Sequence, residues 1–144
     1  MDSQVMPLIS ISFSMSSDVA DLDKISKTLN LTATRTRKKY EWPQISIDMG
    51  FACDEWVMAS PKITSFSVDE ECKKVIDILR EKENHILALC EEFKMQTHFE
   101  VLVHMKYTAS PAIFLDRDTI AFLARINASI GFDIYNYDEE EDEL

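Results

Sequence analysis

The chain is predicted to fold as a single α+β domain of α/β type. One mixed, mostly antiparallel sheet of five to six strands is packed by three helices, in the order β-α-β-β-α-β-β-α-β. Three observations predict this. Ile9, Ile11, Phe13 and Met15 alternate with Ser10, Ser12, Ser14 and Ser16, the period of two that gives a strand one dry and one wet face. A helical stripe of Cys72, Val75, Ile76, Leu79, Ile86, Leu87, Cys90 and Phe93 follows the capping-box pattern of Ser67 to Glu70. A second alternating run then sets Phe99, Val101, Val103, Met105 and Tyr107 against Glu100, Leu102, His104 and Lys106. Strands interspersed with helices in this way suggest one sheet with the helices largely on one face.

The remaining elements follow in chain order. A helix capped by Ser16 or Ser17, with Asp18 in its first turn, places Val19, Leu22, Ile25 and Leu29 on one stripe and stops at Asn30. From Leu31 to Glu55 the pattern weakens into a long loop or short hairpin, with Ile45, Ile47 and Met49 forming a brief strand. Trp56 to Ala59 reads as a strand broken by Pro61, and Ile63 to Phe66 continues the sheet. The long helix starting after Ser67 has its kink at Lys82 to Asn84. Ala112 to Leu115 makes a short strand. A third helix, capped by Asp116 or Asp118, buries Ile120, Leu123, Ala124 and Ile126. Gly131 restarts the chain, and Phe132 to Tyr137 is the last strand.

A chain of 144 residues, 46% hydrophobic and 28% charged, is long enough for one globular core. Residues 1–137 form that domain, and residues 138–144 are an acidic, disordered tail. No stretch approaches the roughly 20 apolar residues a bilayer span needs. Met1 to Ser16 is apolar, but its Asp2, its lack of Lys and Arg and its alternating serines are not those of a secretion signal. Cys53, Cys72 and Cys90 form no CxxC pair and are odd in number, which fits a reducing cytoplasm rather than a disulfide framework or a structural zinc site.

The formal net charge is −11, and Asp138, Glu139, Glu140, Glu141, Asp142 and Glu143 supply six of the acidic charges. Such a surplus disfavours nucleic acid and anionic membranes as main partners and permits attraction to a basic protein. Catalytic signatures are missing: there is no GxSxG, and two glycines cannot build a phosphate cradle. His85, His98 and His104 lack metal-ligand spacing; His98 and His104, six apart on one strand, would sit about 20 Å from each other. No cofactor or metal is implied. A small enzyme remains an alternative, because acid–base sites assemble from residues distant in sequence.

Two segments suggest binding. Asp133, Tyr135 and Tyr137 run into Asp138 to Glu143, and tyrosine beside acid suits a protein surface that quenches a cationic site. The basic run Arg35, Arg37, Lys38 and Lys39 with Tyr40 and Trp42 suits phosphate contact and base stacking, or else a solvated loop balancing the acidic remainder.

The serine-alternating first strand, the helix ending Leu29-Asn30-Leu31, and Glu55-Trp56-Val57-Met58 carry a resemblance. Pro111 to Leu115 and Gly131-Phe132-Asp133-Ile134-Tyr135 complete it. Together they resemble a bacterial family of small domains of unknown function, similar to cytoplasmic immunity proteins of polymorphic toxin systems, including contact-dependent growth inhibition. One departure is the Arg35 to Lys39 run, where the family pattern implies a glycine-containing turn. The resemblance brings no catalytic residues. It implies an antitoxin that binds a cognate toxin domain, a basic nuclease in the leading reading, and blocks its active site or substrate groove. The partner-binding residues would be Asp133, Tyr135, Tyr137, Asp138, Glu139, Glu140 and Glu141, with Tyr40 and Trp42.

Overall fold

The computed structural model describes residues 6–106 and 110–137. Its strands are β1 (Leu8–Ser17), β2 (Arg35–Arg37), β3 (Asp54–Ala59), β4 (Ile63–Thr64), β5 (Gln96–Lys106) and β6 (Ala128–Tyr137). Its helices are α1 (Leu22–Leu29), α2 (Gln44–Asp48), α3 (Val68–Leu79), α4 (Glu83–Phe93) and α5 (Arg117–Arg125). A 3-10 turn, Arg80–Lys82, joins α3 to α4, so the long helix bends close to where the sequence places its kink. The strands form one mixed sheet in the order β2-β3-β1-β5-β6, with β4 pairing β1 beside β3.

Every pairing is antiparallel except β5 with β6. That parallel pair needs a crossover, and α5 supplies it. β3 and β4 follow one line along β1, broken by Pro61, which has no N–H for the ladder. Ser60 repairs the break: its Oγ accepts from the Ile11 N–H at 2.9 Å, and its carbonyl accepts from Ser10 Oγ at 2.7 Å.

The period of two in β1 decides the layering. Ile9, Ile11, Phe13 and Met15 are fully buried between sheet and helices, while the serines between them line the opposite face. Phe13 packs edge-on against Trp56 (6.3 Å between ring centres) and Phe99 (5.6 Å). The buried Trp56 donates its indole N–H to Ser26 Oγ at 2.9 Å, so its polar handle is satisfied. Asp69 ties α3 to α5, accepting from Thr119 Oγ at 2.7 Å and from the Asp116 N–H at 3.1 Å.

Several elements differ from the sequence reading. β1 runs on to Ser17, so α1 starts later: its cap is Asp21, which accepts from the Lys24 N–H. Val19 therefore precedes the helix and is 72% exposed instead of joining the stripe. Asn30 does end α1, in the left-handed conformation (φ 54°) that Asn tolerates. Ile45 and Ile47 lie in the short helix α2 with Met49 as its cap, not in a strand, because Pro43 opens a helical turn whose N–H bonds return to its carbonyl. The capping box after Ser67 is half made. Ser67 Oγ accepts from Glu70, but the Ser67 N–H is taken by Ser65 Oγ.

Leu89, not Leu87, completes the buried stripe of α4. Ala112 makes only an isolated bridge to Ser67, so no strand forms over 112–115. Asp116 caps α5, whose core face holds Thr119, Phe122 and Leu123; Ile120 is 53% exposed and Ala124 also faces out. Gly131 lies inside β6, which begins at Ala128, four residues before the Phe132 start read from the sequence. Tyr107 and the acidic run from Asp138 lie outside the described residues.

Candidate functional site

With the helices stacked on one side, the alternate residues of each strand present a second surface. Reading across the ladder, it carries Arg35 and Arg37 of β2, Glu55 of β3, Ser10 to Ser16 of β1, His98, Glu100 and His104 of β5, and Ser129, Asp133 and Tyr135 of β6. This surface is largely polar, with Val57 of β3 and Leu102 of β5 among its apolar members, and it is bounded by β2 at one edge and β6 at the other.

The β6 edge holds three of the residues singled out from the sequence. His104 lies between the rings of Tyr135 and Tyr137, with ring centres 5.2 and 5.7 Å away, and its Nδ1 is 3.0 Å from the Tyr137 hydroxyl. Burial to 4% exposure, aided by the Lys62 charge, holds the imidazole pKa below its ordinary value. Its Nε2 is buried without a hydrogen-bond partner among the described residues. Tyr135 is half exposed at 44%, and on the other side of the strand Phe132 (39%) and Ile134 (45%) are also open to solvent. Among the described residues, β6 pairs along one side only. Natural edge strands are usually blunted by lysine, proline or a covering element. Lysine and proline are both absent over Ala128–Tyr137.

The opposite edge belongs to the basic run, and its charges are already paired. Arg35 and Arg37 reach Glu55 at 3.4 and 3.7 Å, and Arg37 stacks on the Trp42 ring at 3.6 Å. Lys38 meets Asp54 at 2.6 Å, and Lys39 meets Asp18. The acids balancing this run are thus Asp18, Asp54 and Glu55. Asp54 is almost wholly buried, which alone would raise its pKa. Hydrogen bonds from Lys38 and from the Ala20 and Lys39 N–H groups outweigh that and hold it low. Trp42 donates its indole N–H to the Cys53 carbonyl, and Tyr40 is exposed. Phosphate contact by these cations would have to break four ion pairs.

Tyr40 and Trp42 do not join Tyr135 and Tyr137. Four inter-strand steps, about 19 Å, separate the two edges. The register also puts Arg37 level with Ser16 and Tyr135 level with Leu8, at opposite ends of β1. Sequence reading therefore named two sites. It also missed two features of the sheet face between and beside them: the His104–tyrosine stack, and a contact of His98 with Ser129 and Glu100. Both join residues of β5 and β6, and only the parallel register reveals them.

Hollows near these surfaces are open to solvent. One of about 430 Å³ is lined by Ala20, Asp21, Leu22, Asp23, Thr36 and Lys38. Another, of about 360 Å³, lies where β5 and β6 begin and includes Ser129. No group of three or more His, Cys, Asp or Glu side chains among the described residues could hold a metal ion. No helix there is long and apolar enough to cross a membrane.

Fold and surface together define a one-sided α+β domain with a largely polar sheet face and an edge strand that, among the described residues, is paired on one side only. The chain belongs to the family described as domain of unknown function (DUF4279), whose model matches residues 7–137. No curated protein and no solved structure matches the chain.

Proposed function

We propose that this protein is a cytoplasmic immunity protein that binds a cognate toxin domain, a basic nuclease in the leading case, through the β6 edge and the residues following it. The observation that carries this reading is β6 itself. It is ten residues long and, among the described residues, open along one side, with Phe132, Ile134 and Tyr135 exposed at its flanks. An extended partner segment can add to such an edge by main-chain hydrogen bonds, while side chains at alternate positions provide specificity. The aromatic and aliphatic groups supply the apolar centre that tight interfaces need. Asp133 and the six acids from Asp138 to Glu143 supply the charge that would steer a cationic partner and lie against its substrate groove. Pairing of the basic run with Asp18, Asp54 and Glu55 favours this reading over nucleic-acid binding.

The test is co-expression with a candidate toxin domain encoded in the neighbouring reading frame, followed by titration of the purified pair. The wild type should neutralise the toxin at near-equal stoichiometry. Ile134→Arg places a charge on an exposed edge position, so it should leave the melting curve within about 0.5 kcal/mol of wild type and weaken binding at least tenfold. If the wild type neither binds nor protects, or if Ile134→Arg and Tyr135→Ala bind as well as wild type, the proposal fails.

A further inference from the structure

On the open sheet face, away from the tyrosines of the β6 edge, three side chains form a relay that no linear motif announces. His98 Nδ1 lies 2.7 Å from Ser129 Oγ, and His98 Nε2 lies 2.7 Å from Glu100 Oε1. The strands enforce the arrangement. His98 and Glu100 are two residues apart on β5 and share a face, and the parallel register sets Ser129 directly beside His98. An ionised carboxylate can only accept, so Glu100 holds the proton on Nε2. The Nδ1 lone pair is then directed at the serine hydroxyl. A nucleophile bonded to a base, with the base oriented by a third group, is the arrangement that activates serine. Here the imidazole is turned over relative to serine proteases of the chymotrypsin type, in which Nε2 faces the serine.

Two further observations bear on this relay. The first is Gly131. Its φ is unremarkable, so backbone freedom does not call for glycine; space does. A Cβ at this position would lie 2.7 Å from Glu100 Oε1, 3.3 Å from His98 Cε1 and 3.4 Å from Nε2. The carboxylate and the ring occupy the space a side chain would have taken. The second is the hollow of about 360 Å³ that Ser129 lines. Leu87, Cys90, Met95 and Ile126 give it apolar walls, and Gln96 and Asn127, which carry carboxamides, are also among its lining residues. Carboxamide N–H groups can serve as donors to a developing oxyanion.

We infer that Ser129, His98 and Glu100 form a serine acyl-transfer site that hydrolyses small esters whose acyl group enters the adjoining hollow. Ser129 and His98 are the catalytic residues, and Glu100 is a positioning residue. In the first half-reaction Ser129 Oγ attacks the ester carbonyl as its proton passes to His98 Nδ1. The bond to the leaving alkoxide breaks, and His98 returns that proton to it, releasing the alcohol and leaving an acyl-serine. In the second half, water attacks the acyl carbonyl while giving a proton to Nδ1. The carbonyl–Oγ bond breaks, and Oγ recovers the proton as the carboxylic acid departs. Ester and water become acid and alcohol, and nothing is oxidised or reduced. The site shares β6 with the proposed toxin-binding edge but uses the start of that strand, and ester turnover and toxin titration are separate readouts, so a failure of either is distinguishable from a failure of the other.

The experiment uses the full chain with p-nitrophenyl acetate and p-nitrophenyl butyrate, and separately with a fluorophosphonate probe read by intact mass. The wild type should turn over both esters, and the probe should add once, at Ser129 by peptide mapping. Ser129→Ala should remove the adduct and lower kcat/KM by about 100-fold or more, the range general-base activation supplies. His98→Ala should do the same, and Ser46→Ala, on α2, should change neither. Glu100→Gln should lower kcat more than it raises KM and should shift the pH–rate profile, which a purely structural loss would not do. Gly131→Ala should reduce turnover by displacing the carboxylate. Matching circular dichroism spectra separate these effects from misfolding. Activity that survives Ser129→Ala would come from free imidazole, and it would overturn the assignment. So would a wild type that neither outpaces that variant nor takes up the probe.

Discussion

Removing the Asp54 carboxylate should cost about 3 kcal/mol, and the structure says where that figure comes from. Asp54 accepts from the Ala20 N–H (2.9 Å), the Lys39 N–H (2.7 Å) and Lys38 Nζ (2.6 Å), and so fastens the start of α1 and the end of β2 to β3. In Asp54→Ala the Ala20 N–H is left buried without a partner, which costs about 1–3 kcal/mol. The Lys39 N–H and the Lys38 ammonium lie nearer the surface, where water can replace the lost bonds, so each adds about 1 kcal/mol or less. In urea, with a slope of roughly 1–3 kcal/mol per molar, the midpoint should fall by about 1–3 M. The pH dependence supplies a second reading. Because the folded-state pKa of Asp54 is depressed, the unfolded chain binds the proton more readily. The stabilisation is therefore complete above the unfolded value near 3.9 and is lost as pH falls through the folded one. The gap between wild type and Asp54→Ala should thus narrow below about pH 4. A loss under about 1 kcal/mol, or a gap that stays constant with pH, would refute this account of the latch.

Two other groups give pH- and reagent-dependent outcomes. His104 has a depressed pKa, so the unfolded chain takes up its proton first as pH falls. Its contribution is intact above about pH 6.5 and lost below it, and the fall in melting temperature between pH 7 and pH 5 should be smaller in His104→Phe than in wild type. Burial leaves Cys72 fully inaccessible and pushes its thiol up to about 12. Iodoacetamide at pH 8 should leave it unmodified in the folded protein and alkylate it in urea, as peptide mass spectrometry would show.

The parts of the fold that were legible in the sequence are those with an uninterrupted period. β1, the α3–α4 helix and β5 each repeat one pattern for eight residues or more, and the structure keeps them. Where side-chain hydrogen bonds choose between alternatives, the pattern says little. Ser16 and Ser17 look like helix caps, yet they end β1, and Asp21 takes the cap. Around Ile45 to Met49 an alternating run is overruled by Pro43, which opens a turn of helix. The two binding segments were visible as composition, but composition carries no information on which acids would neutralise Arg35 to Lys39. The relay of His98 with Ser129 and the stack of His104 with Tyr135 and Tyr137 depend on the β5–β6 register. A parallel pairing made by a crossover leaves no local mark in either strand.

β1 also writes two messages on one line of backbone. Its odd-numbered residues, from Ile9 to Met15, decide whether the protein folds, and its even-numbered serines, from Ser10 to Ser16, decide what the far side of the sheet looks like. A change at an even position leaves the interior letters untouched, and β5 is written the same way from His98 to Leu102. Apart from Ser10, whose hydroxyl is held by the Ser60 carbonyl, such interleaving lets a chain revise its outer face one letter at a time with little effect on its interior.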